Sequence, residues 1–113
     1  MIFAIFTRQP IDGGKKQADY KQFTSVEEFV DWYQKQGDKL LFSLGYKKRI
    51  LTESGWIKLD VPAANFMQAI DTKYKIVVDI KRVVRDDGIL FDDVTHCSEE
   101  LVSCIASKRV LKA

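Results

Sequence analysis

Two short sequences typical of tight turns, each lying between segments in which apolar and polar residues alternate, constrain the fold more than any other feature. They are Glu53-Ser54-Gly55 and Asp86-Asp87-Gly88. An acidic residue followed closely by glycine is typical of a β-hairpin turn, and alternation is typical of its strands. We therefore predict two hairpins. Their strands cover residues 39–51 and 56–61, and residues 74–85 and the segment from 89 onward.

An amphipathic helix is predicted to begin near Ser25. Ser25 with Glu28, or Thr24 with Glu27, has the spacing of a capping box, which satisfies free N–H groups at a helix start. Gly37 is expected to end the helix in a left-handed conformation. The apolar face of this helix consists of Val26, Phe29, Val30 and Tyr33.

The remaining segments follow the same two periodicities. Residues 1–7 are apolar almost throughout and predict a strand that is covered on both faces. Residues 8–22 contain proline, paired glycines and several lysines, and they predict a long surface loop. Two further helices are expected over residues 62–71 and 98–110.

These elements predict one α+β domain over residues 1–113, with the order β-α-β-β-α-β-β-α. The first six elements resemble a ferredoxin-like sandwich in their order. A C-terminal strand and helix would extend that sandwich. The resemblance implies no activity, because this architecture carries unrelated functions.

Composition places the chain among ordinary globular domains. It has 113 residues, 46% of them hydrophobic, enough for one domain with its own core. The net charge of +2 arises from 18 basic and 16 acidic residues. This near-balance excludes a polycationic coat protein and an acidic tail.

The cysteines and the N-terminal residues bear on location. Cys97 and Cys104 lie two turns apart on the predicted last helix, about 10.5 Å, too far for a disulfide. We expect free thiols and a reducing, cytoplasmic compartment. Residues 1–6 lack a basic leader, and no apolar stretch approaches about 18 residues, so we expect no signal peptide and no membrane contact.

Two segments bear a superficial likeness to chemical sites. His96, the only histidine, lies beside Asp92, Asp93 and Cys97, but the segment lacks the ligand spacing of a zinc site. Residues 12–16 lack the spacing of a phosphate-binding loop. We therefore predict no catalytic residue, no metal and no cofactor. We interpret the His96 segment as a solvated turn and residues 12–16 as part of a mobile surface loop, whose length makes it a candidate contact segment.

Basic residues cluster near the ends of two predicted strands. The clusters are Lys47, Lys48 and Arg49, and Lys81, Arg82 and Arg85. If both hairpins belong to one sheet, these cations could form one patch for nucleic acid or a partner protein, with Tyr46 and Trp56 as stacking surfaces. The alternative is that they protect exposed strand edges against aggregation.

Several aromatic residues are candidates for an interface or a pocket. Trp32 lies one position before Tyr33 and falls off the inward face, so it could close a pocket, cover a strand edge or enter a subunit interface, although packing within the monomer is the favoured expectation. Tyr33, Tyr46 and Trp56 could instead line a pocket between helix and sheet.

Three functional hypotheses follow. The first is a small non-catalytic protein-binding or regulatory module whose partner is another protein, foremost a second copy in a homodimer. The second is a nucleic-acid-binding module that uses the basic strand ends. The third is a small-molecule binder or enzyme with the aromatic pocket.

Overall fold

A computed structural model of the protein describes residues 1–45, 49–52, 54–58 and 65–108. These residues form nine β-strands and two α-helices. The strands are β1 (Ile2–Pro10), β2 (Gln17–Phe23), β3 (Lys39–Leu44), β4 (Arg49–Thr52), β5 (Gly55–Lys58), β6 (Asn65–Asp71), β7 (Ile76–Arg85), β8 (Gly88–Asp92) and β9 (His96–Cys97). The helices are α1 (Val26–Gln34) and α2 (Glu99–Lys108).

The strands form one antiparallel sheet, in which seven strands follow the order β2-β1-β7-β6-β3-β4-β5, and β8 pairs with β7 and with β9. β7 is the longest strand, and it lies between β1 on one side and both β6 and β8 on the other. Where β1 pairs with β7, Ile5 faces Arg82 and Phe6 faces Ile80, which leaves Lys81 as an extra residue. A bulge of this kind bends a strand and increases its twist, and at this point the partner of β7 changes from β6 to β8.

Both described helices pack on one face of the sheet, here called the inner face. Along β1, Ile2, Ala4 and Phe6 point to this face and are buried, whereas Ile5 points to the opposite, outer face and is 40% exposed. The helices contact each other, and they contribute buried residues to the same core. No helix in the described part of the chain is long and apolar enough to span a membrane.

Tyr33 joins α1 to the middle of the sheet. Its hydroxyl lies 2.9 Å from the carbonyl oxygen of Leu41 and 3.0 Å from that of Gln68, which face each other on β3 and β6. Burial raises the pKa of the Tyr33 hydroxyl above its usual range, so the group stays protonated and donates to these carbonyls. The side chain is fully buried, and it fixes the height of the helix above the sheet.

The predicted start of α1 is confirmed, whereas the predicted role of Gly37 is wrong. Ser25 Oγ accepts a hydrogen bond from the backbone N–H of Glu28. The helix ends at Gln34, and its C-cap, Lys35, has a right-handed φ of −92°. Gly37 is not among the left-handed residues. It is needed for close packing, because a Cβ atom there would lie 2.7 Å from the carbonyl oxygen of Ile70.

The predicted ferredoxin-like α+β sandwich is wrong, since the chain is mostly antiparallel sheet. The main error is the helix predicted over 62–71, where residues 65–71 form β6. β6 pairs with β3 on one side and β7 on the other. Because β6 carries apolar residues on both faces, the positions of Phe66, Met67 and Ile70 match the spacing of one face of a helix. Residues 62–64 lie outside the described residues.

A second difference is β2, which lies within the predicted loop over 8–22. Six of its seven residues are exposed, and only Phe23 is buried. Its polar sequence indicates a loop, yet it pairs with β1 in unbroken register from Ile2–Phe23 to Arg8–Gln17. The predicted strand over 39–51 is also divided between β3 and β4.

Candidate functional site

An apolar surface lies on the outer face of the sheet where β2, β1 and β7 adjoin. Ile5 faces Tyr20 across β1 and β2, and Phe3 faces Val84 across β1 and β7. With Ala18, these residues line a shallow depression of about 500 Å³. Asp19 also borders it, as the residue between Ala18 and Tyr20, although its side chain points to the inner face. We call Phe3, Ile5, Ala18, Tyr20 and Val84 the Tyr20 surface.

The Tyr20 surface places aromatic and aliphatic groups in water. Tyr20 is 66% exposed and Ile5 is 40% exposed. Covering such atoms is favourable by roughly 25 cal/mol for each Å² removed from water. A contiguous apolar surface of this kind is typical of a protein-binding site.

The open edge of β2 adjoins this surface. In the described part of the chain, β1 is the one strand that pairs with β2, so its other edge is free. The backbone N–H of Tyr20 donates to Asp19 Oδ1 at 2.8 Å. This contact indicates that the Tyr20 N–H points away from β1, toward the open edge. Unpaired strand edges are templates for the addition of another strand.

Trp32, predicted as a pocket or interface residue, lies half-buried where α1 covers β1 and β2. Its ring centroid is 5.1 Å from that of Phe6 and 5.5 Å from that of Phe23. The ammonium of Lys21 lies 5.8 Å from the Trp32 centroid. The tryptophan therefore contributes to packing within one chain, and it holds the Lys21 cation on the inner face beside the β2 edge.

The described cations of the second predicted basic cluster are largely paired with carboxylates. Lys81 Nζ lies 2.8 Å from Asp79 and 3.4 Å from Asp93, and the Asp79 contact is the main cause of its raised pKa. Arg82 is exposed on the outer face beside Ile5.

Arg85 contacts carboxylates on the inner face. It donates to Asp87 and to Glu100 at 2.8 Å. These hydrogen bonds, that with Glu100 above all, raise the pKa of the guanidinium. In the first predicted cluster, Lys47 and Lys48 lie outside the described residues. Arg49 belongs to β4, and its side chain is not described.

The two other predicted pocket residues that the structure describes take part in core packing. Tyr33 is buried under α1. Trp56, on β5, packs edge-on against Phe42 with the ring centroids 5.8 Å apart. Tyr46 lies outside the described residues.

The segment around His96 has the chemistry of a structural turn. His96 is exposed, and Cys97 is half-buried beside it. Burial, with a smaller contribution from Glu99, raises the pKa of the Cys97 thiol to about 12. The thiol is therefore protonated at neutral pH, unlike an activated nucleophile. The described residues contain no group of three or more His, Cys, Asp or Glu side chains placed to hold a metal ion.

Sequence reasoning missed the residues of the β2 edge. Asp19, Tyr20 and Lys21 lie within the predicted loop over 8–22, so none of them is a predicted site residue. The available signal was alternation, since Ala18, Tyr20 and Gln22 point one way and Asp19, Lys21 and Phe23 the other.

No protein-family model, curated protein or solved structure matches the chain.

Proposed function

We propose that the chain is a small cytoplasmic protein-binding module without catalysis of its own, and that it binds a partner chain through the Tyr20 surface and the adjoining edge of β2. The observation that carries this proposal is the position of an exposed apolar surface directly beside an open strand edge. The apolar side chains supply affinity. The edge supplies backbone hydrogen bonds that orient the partner.

The residue types at this position support a protein partner. Tyrosine is enriched in the cores of protein interfaces because its ring buries a large area while its hydroxyl tolerates water. Tyr20 is the most exposed of the large side chains of the Tyr20 surface. It stands at the junction of the surface and the edge, where a partner strand would contact both.

The two alternative functions have less support from the described residues. A nucleic-acid backbone would compete with Asp79 and Asp93 for Lys81, and with Asp87 and Glu100 for Arg85. A small molecule in the predicted aromatic pocket would have to displace Tyr33 from the core. The protein-binding proposal needs neither rearrangement.

Photo-crosslinking in cells tests the proposal. Tyr20 is replaced by p-benzoylphenylalanine, and Tyr74 is replaced in the same way as a matched control, since the two residues are 66% and 65% exposed. We expect discrete protein adducts from position 20 and none from position 74. The adducts from position 20 should diminish when its cross-strand neighbour is changed by Ile5→Lys. Identical adducts from both positions, or none from position 20, would contradict the proposal.

A further inference from the structure

The open edge of β2 has a sequence that is complementary to itself. The strand runs from Gln17 to Phe23, and its midpoint is Tyr20. An acidic residue, Asp19, precedes the midpoint, and a basic residue, Lys21, follows it. Both point to the inner face, because they face Phe6 and Ala4 of β1. Two antiparallel copies of such a strand can therefore place opposite charges against each other.

Geometry limits the registers in which two copies could pair. A two-fold axis perpendicular to the sheet keeps the inner faces of both copies on the same side. Only registers centred on a residue then match inner-face with inner-face side chains, since a slip by one residue reverses every side chain. Pairing of all seven residues of β2 requires Tyr20 of one copy to lie opposite Tyr20 of the other, with the axis between them.

Charge selects the same register. With the axis at Tyr20, Asp19 of each copy lies opposite Lys21 of the other, which makes two attractive pairs. An axis at Asp19 would oppose two aspartates, and an axis at Lys21 would oppose two lysines. Opposite charges across a strand pair are stabilising, whereas like charges are destabilising.

The backbone also fits this register. The Tyr20 N–H points toward the open edge, so the two Tyr20 residues would exchange N–H···O bonds. The flanking Asp19–Lys21 pairs would then be non-hydrogen-bonded pairs, whose Cα atoms approach to about 4.5 Å. Asp19, which accepts the Tyr20 N–H in the single chain, would be released to bind the opposing lysine.

Side chains on both faces would support the paired strands. On the inner face, Lys21 is held over Trp32 and Phe23, at 5.8 Å and 6.0 Å from their ring centroids. On the outer face, Ile5 and Tyr20 of one copy would continue into Tyr20 and Ile5 of the other. The two Tyr20 surfaces would thus become one continuous apolar surface.

We propose that the chain forms a two-fold homodimer in which two β2 strands pair in antiparallel register about Tyr20, with Asp19 of each copy bound to Lys21 of the other. The proposal rests on the proposed function, because it names the chain that pairs with the open edge of β2 in the proposed binding site. The paired sheets form one continuous antiparallel sheet across the dimer.

Charge exchange tests this register. The mass of the wild type and its variants is measured by sedimentation equilibrium over a wide concentration range, with a monomer mass of 13.0 kDa. We expect the wild type to approach twice that mass. Asp19→Lys and Lys21→Glu should each raise the dissociation constant by about tenfold or more, because each turns two attractive pairs into two repulsive ones.

An equimolar mixture of the two single variants should recover association, since one chain then offers two lysines and the other two acidic groups. The double variant Asp19→Lys/Lys21→Glu should also recover it. Lys73→Glu, a charge reversal in an exposed turn, should leave the dissociation constant unchanged. Circular dichroism shows whether each variant is folded, and recovery in the mixture itself requires folded chains.

Other outcomes separate this inference from the proposed function. A wild type that stays monomeric while position 20 crosslinks a different protein would overturn the self-pairing and leave the proposed function standing. A dimer that both single variants leave intact would overturn the Tyr20 register. A monomer without adducts from position 20 would overturn both proposals. A dimer with self-adducts from position 20 supports both.

Discussion

Gly37 allows the chain after α1 to approach the backbone of β6. A Cβ atom at this position would lie 2.7 Å from the carbonyl oxygen of Ile70 and 2.8 Å from its carbonyl carbon. Backbone atoms in a central strand move only with their neighbours. We therefore expect Gly37→Ala to lower the free energy of unfolding by about 1–3 kcal/mol, measured by urea denaturation.

Lys35→Ala is the matched control, because Lys35 is exposed two residues earlier in the same connection. It should change the free energy of unfolding by less than about 0.5 kcal/mol. Equal stability of the Gly37→Ala variant and the wild type would show that the connection can shift away from β6.

The reach of a residue's interactions decides whether its role can be predicted from the sequence. Ser25 was predicted correctly because its cap contacts Glu28, three positions away. The role of Gly37 was missed because its constraint is the backbone of Ile70, on a different element. Asp19 and Lys21 were missed for the same reason. Asp19 of one copy can lie opposite Lys21 of another only because β2 is an edge strand, and the sequence alone does not show that.

A helix or turn was predicted correctly where its own residues specify it. A strand was misread where its residue pattern depends on its neighbours in the sheet. α1 has a cap and one apolar face, and the turn before Gly88 joins β7 and β8 as expected. β6 carries apolar residues on both faces because it is central, and its pattern then resembles that of a helix. β2 carries polar residues because it is an exposed edge, and its pattern then resembles that of a loop.

The attachment of α2 to β7 through Arg85 yields a pH-dependent prediction. Hydrogen bonds with Arg85 lower the pKa of both Asp87 and Glu100. A lowered carboxyl pKa contributes stability above its unfolded value, 4.5 for glutamate, and this contribution is lost as the pH falls through the folded value. Glu100→Gln should therefore be less stable than the wild type at neutral pH and converge with it in acid.

Urea midpoints measured from neutral pH down to about pH 2 would show this convergence. Glu27→Gln, the same chemical change at an exposed position in the first turn of α1, is the control. A constant difference between the Glu100→Gln variant and the wild type over the whole range would exclude the ion pair as its cause.

At the scale of the whole molecule, both described helices cover one face of the sheet, and apolar residues are exposed on the other. Composition does not show this difference between the two faces. The hydrophobic fraction of 46% is ordinary. Which apolar residues are left on the outer face depends on strand order and on the placement of both described helices on the inner face. The sequence of residues 1–7 predicts a strand covered on both faces, whereas in the fold Phe3 and Ile5 belong to the Tyr20 surface.

The proposed dimer makes thermal stability depend on protein concentration. Only folded chains form the dimer, so association stabilises the folded state relative to the unfolded state. The midpoint of heat unfolding should therefore rise by roughly 3 °C for each tenfold increase in concentration above the dissociation constant. Calorimetry over two decades of concentration measures this rise. The Asp19→Lys variant provides the control, because at concentrations where it is monomeric its midpoint should not change. A wild-type midpoint that is equally independent of concentration would mean that the folded chain does not associate, and Tyr20 would then face a partner of another kind.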